Sequence, residues 1–511
     1  MADDLTVEQA LPEEEGVYEE VDHTVDKAGT VRAALEGYSG GVAIARELIQ
    51  NADDARATRI TFDFRPDELF VTNDQVFTPK DFESILLIGA GGKRFDADKT
   101  GTFGVGFVSV FMLTDEPQVR SADRRLKLHP VNSRVGQFLN LPYLHGTEIT
   151  LPYRRTPTEA GRKIQSEPVD DAYLSAFQSE LERELDRLLI FLRNVREIEL
   201  RRSGTTFARA VRKAENLPTA ASHQLRGASL AAFSLETTRQ EVTEYQRWLL
   251  VTGSVPNPPL GPDGKPTKSD SVSVAFRFPE DGAPSPGHLY NTLPTAIQTG
   301  FKFHINGDFF PSYERKSINL DTPDRKVWNL EVLRAAARLV TLATPVLKAL
   351  APNPSYLWDL LPFGHRPDYR FLDDFTGIFT SFAQEYDLVW TVEGKWVRPQ
   401  EAWIASSEEL QNILGGYRPG LVAPELRAET SIIQKLKIPK LYPQDLKSFV
   451  DQHVRPGLLE NAHPVANTPE KVTAILVFLL EHYTKPKLLH GLPLCLDARS
   501  SLHSLGTACF V

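Results

Sequence analysis

Glu47 and Asn51 are the first residues in this chain whose types and spacing could do chemistry. They set a carboxylate and an amide one helical turn apart within Gly41-Val-Ala-Ile-Ala-Arg-Glu-Leu-Ile-Gln-Asn-Ala-Asp-Asp-Ala55. At i, i+4 the two share a face beside the apolar stripe of Ile44, Leu48 and Ala55, while Arg46, Gln50 and Asp53 take the far side. Both polar groups are expected to face inward, with no basic residue at helical spacing to neutralise the carboxylate. A carboxylate so placed suits the orientation of a water, and an amide oxygen suits a hard cation. On spacing alone, a solvated or capped face is the competing reading.

A second stretch, Gly101-Thr-Phe-Gly-Val-Gly-Phe-Val-Ser-Val-Phe111, sets three glycines at G-x-x-G-x-G spacing before an apolar segment. Glycines there let backbone N–H groups approach a polyphosphate at a helix N-terminus. The spacing is not the dinucleotide fingerprint, and it lacks the Lys-Ser/Thr ending of a P-loop. Two further signals flank it. Asn73-Asp74 stands at the end of an expected strand, Glu68 to Thr72, which forms a hairpin with Arg59 to Phe64 across Arg65-Pro-Asp67. Gly146-Thr147 opens an alternating strand that runs to Leu151. An Asx turn is the bland account of Asn73-Asp74. Between a helix over 81–88 and the glycines, the polar stretch 89–99, with Lys93, suits a mobile lid.

Taken together, these four motifs resemble, in order and in rough spacing, the GHKL ATPases, the superfamily of gyrase B, heat-shock protein 90, histidine kinases and MutL. The run Glu-Leu-Ile-Gln-Asn-Ala-Asp-Asp-Ala, Asn73-Asp74 followed by Phe77-Thr78, and Gly-Lys-Arg in the lid are most similar to sacsin-type modules. The wider pattern D-x-G-x-G stands here as Asp74-Gln-Val-Phe-Thr78 without either glycine, a loss that sacsin-like sequences share. The resemblance is strong over residues 24–200, weaker to about 345, and slight beyond.

The resemblance implies an α+β protein that binds ATP and magnesium. Its N-terminal part would be a Bergerat-fold α/β sandwich, a helical layer on a mixed β-sheet, followed by an α/β middle domain and a mostly helical C-terminal region. By the same resemblance Glu47 activates water, Asn51 holds magnesium and Asp74 reads the adenine amine, with the Thr147 hydroxyl supporting it. Asp54 joins the nucleotide site, Lys93 is a candidate phosphate contact with a solvated lid charge as the competing reading, and Gly101, Gly104, Val105, Gly106 and Phe107 wrap the phosphates. Arg315 lies in the polar loop that follows the aromatic strand from Gly300. It is the implied finger on the γ-phosphate, with a surface Arg–Glu pair as the competing reading. His304, inside that strand, reads as a hydrogen-bonded core residue.

Domain boundaries are expected at 1–26 (an acidic arm), 27–200 (ATP-binding), 201–350 (middle, transducer-like) and 351–511 (mostly helical). The arm is a solvated tail or, by the resemblance, a segment that exchanges between partners in a homodimer. A long amphipathic helix is expected over Leu174 to Asn194 and another over 323–350, with a hairpin over 388–397. Pro256 to Pro266 reads as an exposed excursion between strands.

With 511 residues the chain has room for roughly three domains. A formal net charge of −10 argues against a broad nucleic-acid surface, and two cysteines are too few for a disulfide framework. No apolar run is long enough for a membrane span, and Met1-Ala-Asp-Asp is acidic where a secretory leader is basic. A cytoplasmic protein is expected. The apolar ending at Val511 reads as a strand awaiting its continuation, as in an N-terminal portion of something longer. The expected function is a slow, magnesium-dependent ATPase whose ATP/ADP state drives a conformational or dimerisation cycle on protein clients, chaperone-like. The alternatives are a MutL-like switch in nucleic-acid processing or defence, and a non-hydrolysing nucleotide-binding module. A histidine kinase fits less well, because its ATP domain normally follows a phospho-accepting helix.

Overall fold

The computed structural model describes residues 26–38, 40–86, 106–132, 134–217, 225–261, 264–278, 286–311, 318–363, 370–415 and 417–506. The expected lid at 89–99, Lys93, Gly101, Gly104, Val105, Arg315 and the acidic arm up to residue 25 lie outside them.

Helix α1 (Lys27–Leu35) is capped by Asp26, whose side chain accepts from the Gly29 N–H. After Gly40, which turns the chain at φ 74°, α2 (Gly41–Asp54) buries Ile44, Ala45, Leu48, Ile49 and Ala52. Strands β1 (Arg59–Phe64) and β2 (Glu68–Asn73) form the expected hairpin, closed by Arg65 N–H on the Glu68 carbonyl at 3.0 Å. Helix α3 (Pro79–Leu86) follows, then a 3-10 helix over Gly106–Met112. Next come β3 (Gln118–Ala122), β4 (Arg124–Lys127), β5 (Gly136–Phe138), β6 (Leu144–Pro152), α4 (Glu159–Ile164) and α5 (Asp171–Leu188). The middle of the chain supplies β7 (Glu197–Arg202), β8 (Thr205–Glu215), β9 (Ser229–Arg239), β10 (Val242–Ser254), β11 (Ser271–Arg277), β12 (His288–Asn291), β13 (Leu293–Gln298) and β14 (Phe303–Gly307), and then α6 (Pro323–Leu350).

These fourteen strands make one mixed sheet in the order β13-β12-β14-β11-β10-β9-β8-β7-β1-β2-β6-β3-β4-β5. Its two halves meet where β1 pairs in parallel with β7, Arg59 opposite Glu197. Alternation then decides what covers each face. On β10, Trp248 belongs to the core shared with α2, α5 and the 3-10 helix, whereas Leu249 and Val251 belong to a second core under α6. The first core takes in Phe233, Leu235, Tyr290 and Leu293, so both the sheet and its packing run uninterrupted across residue 200. The architecture is α+β.

The C-terminal part carries six helices among its described residues, from Pro354–Leu360 to Pro469–His482, interleaved with two- and three-stranded ribbons. One ribbon is the expected hairpin, Val389 opposite Val397. The excursion between β10 and β11 is tethered by Lys268, whose buried ammonium donates to Asp308 at 3.1 Å and to the Phe309 carbonyl at 3.2 Å.

Two expectations about helices need correction. The long helix reaching Asn194 stops at Leu188, because the next residues find tertiary partners in place of helical ones. Leu189 and Leu192 give their carbonyls to Arg212 of β8, at 3.2 and 2.7 Å. The segment after the glycines is a 3-10 helix rather than an α-helix. No helix among the described residues is long and apolar enough to cross a membrane.

Candidate active site

The motif helix and the end of the glycine stretch meet. Glu47 is half-buried on α2, and Tyr38 donates its phenol to Oε1 at 3.0 Å. The other carboxylate oxygen faces Gly106 so closely that a Cβ there would lie 1.8 Å from it. Any side chain at 106 would displace the carboxylate. Two motifs sixty residues apart in sequence thus share one spot, with Gly106 opening the 3-10 helix. Phe107 follows with its ring in the core at 1 % exposure, so toward any ligand it offers main chain alone.

One turn on from Glu47, the Asn51 amide nitrogen is buried and has no hydrogen-bond partner among the described residues. A buried amide left unpaired is costly, about 1–3 kcal/mol, unless a ligand supplies the contact. The adjoining aspartates divide the work. Asp53, expected on the far side, is 2 % exposed and accepts three backbone N–H groups from the turn after α5, those of Arg193, Asn194 and Val195, at 3.1, 2.7 and 2.9 Å. Asn194 donates back to the Asp53 carbonyl at 2.8 Å. Asp53 is therefore the staple between α2 and the entry to β7. Arg46, also expected on the far side, pairs with Glu184 of α5 at 2.6 Å.

Asp54 is reached by solvent at its side chain, yet protein atoms crowd it on its other sides. That desolvation, with Asp53 and to a smaller extent Glu47 adding negative charge against the opposing Arg193, pushes its pKa up to about 6. A carboxylate whose charge is disfavoured by its surroundings is relieved by an arriving cation.

Asp74 is exposed at the end of β2. Its Oδ1 accepts from the Thr58 N–H at 2.8 Å and from the Arg59 N–H at 3.4 Å, and its Oδ2 takes the Thr58 hydroxyl. The Asx turn belongs instead to Asn73, whose Oδ1 accepts from the Gln75 N–H at 3.0 Å. Among the described residues Thr147 makes no hydrogen bond to Asp74 itself. It is 1 % exposed and donates to the Gln75 carbonyl at 2.7 Å, beside the Ser121 hydroxyl at 2.9 Å. Ser121 in turn bonds the Gly146 carbonyl at 2.7 Å and accepts from the Phe77 N–H at 2.9 Å. Thr147 thus shapes the loop that carries Asp74 without touching the carboxylate. Gly146 sits at φ 140°, and a Cβ there would meet the Asn73 carbonyl at 2.7 Å, so only glycine lets β6 pass this close.

His304 is fully enclosed. It accepts the His288 N–H at 2.9 Å and stacks on Trp248. Burial drives its pKa down to about 3, so it is a neutral core residue. Sequence reasoning missed Tyr38 and Asp53. Neither carries a local signal: Tyr38 precedes a glycine turn, and Asp53 is indistinguishable in type from Asp54.

Among the described residues, no group of three His, Cys, Asp or Glu side chains could hold a metal ion. Magnesium at Asn51 would draw its other oxygen ligands from phosphates and water, which is how this ion is commonly held.

Comparison with known proteins covers these elements unevenly. Residues 63–140 match the model of the Sacsin domain family, a span that includes Asp74 and Gly106 but not α2 or Thr147. Sacsin of Homo sapiens is 25 % identical over 392 residues, an alignment covering 60 % of this chain and 8 % of sacsin. Protein NO VEIN of Arabidopsis thaliana is 24 % identical over 368 residues, covering 64 % of this chain and 12 % of that protein. The chain thus spans a small fraction of either relative's length. The ATPase domain of the mismatch repair endonuclease MutL from Aquifex aeolicus is 16 % identical, covers 38 % of this chain and 71 % of its own, and superposes with a TM-score of 0.22, which carries no argument. The chain is thus similar to the Sacsin domain family over residues 63–140, within an α+β architecture.

Proposed function

We propose that this chain is a magnesium-dependent ATPase of the GHKL type, whose nucleotide state drives a conformational or dimerisation cycle on protein clients. The observation that carries the reading is the contact of Gly106 with the Glu47 carboxylate beside Asn51, whose buried amide nitrogen has no partner among the described residues. A general base, a cation ligand and the end of a glycine-rich loop converge there, as a site for attack on a terminal phosphate requires.

In this reading Glu47, steadied by Tyr38, accepts the proton of the attacking water. Asn51 turns its amide oxygen to the magnesium ion, which supplies charge neutralisation to the phosphate oxygens when bound. Asp74 keeps lone pairs beyond those taken by Thr58 and Arg59, and these accept the adenine amine. Asp54 adds negative charge beside the cation. Lys93, Gly101, Gly104 and Val105 belong to the loops that close over the phosphates, and Arg315 is the finger reaching them from the middle of the chain. The heat-shock protein 90 type of cycle and a cytoplasmic setting complete the proposal.

The test is one titration of ATP, with binding by calorimetry and hydrolysis in the same sample. The wild-type chain binds and slowly hydrolyses ATP. Glu47→Ala binds with similar affinity and loses about two to four orders of magnitude in turnover, the scale of a removed general base. Wild-type turnover in that variant removes Glu47 from the mechanism.

A further inference from the structure

Beyond β6 the chain reads Tyr153-Arg154, and the Arg154 side chain is 1 % exposed. Its Nη1 donates to Asp115 Oδ1 at 2.6 Å and to the Phe111 carbonyl at 3.2 Å. Its Nη2 donates to the carbonyls of Phe111, Met112 and Glu167, each at 3.2 Å, and to the Ser166 hydroxyl. The second oxygen of Asp115 accepts the Thr158 hydroxyl at 2.6 Å. The main chain reinforces the spot, with Arg154 N–H on the Leu113 carbonyl at 2.8 Å and Val169 N–H on the Arg154 carbonyl at 2.7 Å.

The guanidinium therefore collects the carbonyls that end the 3-10 helix over Gly106–Met112. A planar fork fixes three chain segments in one geometry, which a lysine ammonium does not reproduce. At the other end of the same helix Gly106 abuts the Glu47 carboxylate. Between the two ends Phe107, Val108, Val110 and Phe111 are buried, which stops the helix rolling. The helix is thus held at its two ends, against Glu47 at the head and Arg154 at the tail.

We propose that Arg154 is a positioning residue for the reaction. By holding the tail of the 106–112 helix it sets the distance of Gly106 from Glu47, and hence the line along which Glu47 presents water. The proposal rests on the ATPase reading above. It assigns a kinetic role to a residue that lies outside the Sacsin-domain match at 63–140 and has no counterpart in the motifs. Misplacing reacting groups by about 1 Å costs on the order of a hundredfold in rate, so a slackened tail should register in turnover before binding.

The experiment uses the full chain and two variants. Arg154→Lys keeps the charge and loses the fork. The double variant Arg154→Met/Asp115→Asn removes both charges, leaving neither buried alone, and keeps the test open if the single variant does not fold. ATP turnover, ADP affinity and hydrogen exchange at the amides of residues 107–113 and of β10 are measured together. The expected result is turnover down about tenfold or more, ADP affinity within about threefold, and exchange faster by about tenfold at 107–113 with β10 unchanged. Unchanged turnover in a folded variant overturns the proposal. So does exchange that rises equally in β10, because Arg154 would then be general scaffolding. If the wild type does not hydrolyse ATP, the ATPase reading fails by itself, and exchange still judges the clamp: faster at 107–113 alone upholds it, and no change there sinks it.

Discussion

Two asparagines on two helices show how differently the parts of this molecule treat a buried amide. Asn329, on α6, is fully enclosed and fully used. Its Oδ1 accepts the Phe310 N–H at 2.8 Å, and its Nδ2 donates to the carbonyls of Phe310 and Asn319 at 3.0 and 2.8 Å. Asn51, on α2, keeps a buried nitrogen without a partner among the described residues. One amide closes the neck beneath the chain that leaves β14, and the other is left open beside Glu47. Among the described residues the fold uses the amide of Asn329 in full and leaves the Asn51 nitrogen unused, an asymmetry expected between a structural polar group and one suited to a ligand.

Substituting each asparagine by alanine should break the symmetry of the pair most visibly. Asn329→Ala leaves the Phe310 N–H and the Asn319 carbonyl without these partners, while the Phe310 carbonyl keeps the Asn319 N–H at 2.8 Å, so a loss of about 2–3 kcal/mol in unfolding free energy is expected by urea titration. Asn51→Ala should cost under about 1 kcal/mol without nucleotide, since no side-chain bond among the described residues is lost, yet weaken magnesium-ATP binding in calorimetry. Equal destabilisation by the two would show that Asn51 is as structural as Asn329.

A smaller effect sharpens the contrast within α2. Asp53→Asn replaces a carboxylate bound by three N–H groups with an amide that matches at most two of them. Destabilisation of about 1–2 kcal/mol is expected, together with faster hydrogen exchange at residues 193–195. Stability and exchange at wild-type values would remove Asp53 as the staple between α2 and β7.

The smallest effect concerns Asp54 and pH. Its folded pKa, about 6, lies above the ordinary carboxyl value of 3.8, so the folded state binds the proton more tightly than the unfolded chain. The sign follows by linkage: a stabilising contribution is present at the acid end and is lost as pH rises from about 4 through 6. Because solvent reaches the side chain, screening reduces the effect to at most about 1 kcal/mol. Asp54→Asn should therefore be more stable than wild type at pH 7.5, with the gap closing by pH 4. A gap that widens toward acid would reverse the assignment.

Much of this was legible in the residues. The bounds of α2, of the β1–β2 hairpin and of α6 follow from period, Pro323 and Gly40, because those elements are specified by their own sequence. The meeting of Glu47 with the glycine stretch was legible only through the order of motifs. What escaped were features whose partners are distant. α5 ends early because Asp53 and Arg212 claim the groups of the turn that follows it. The first core crosses residue 200 because Trp248 and Tyr290 alternate toward α5. Arg154 carries no signal, since an arginine after a strand is ordinarily solvated, and only the carbonyls gathered around it reveal its place.

The parallel seam between β1 and β7 also has a history in time. Every residue of β1 finds its partner there more than a hundred positions later, so β2 can dress one edge of β1 early while the other waits until the whole of α5 has been made. Closing so long a loop is slow, and an unpaired strand edge meanwhile invites other chains. A chain cut at residue 200 stops inside β7, with Arg201 and Arg202 missing from the seam. A fragment meant to stand alone has to carry β7 complete, with β8 to cover it, or it will expose the edge that the full protein conceals last.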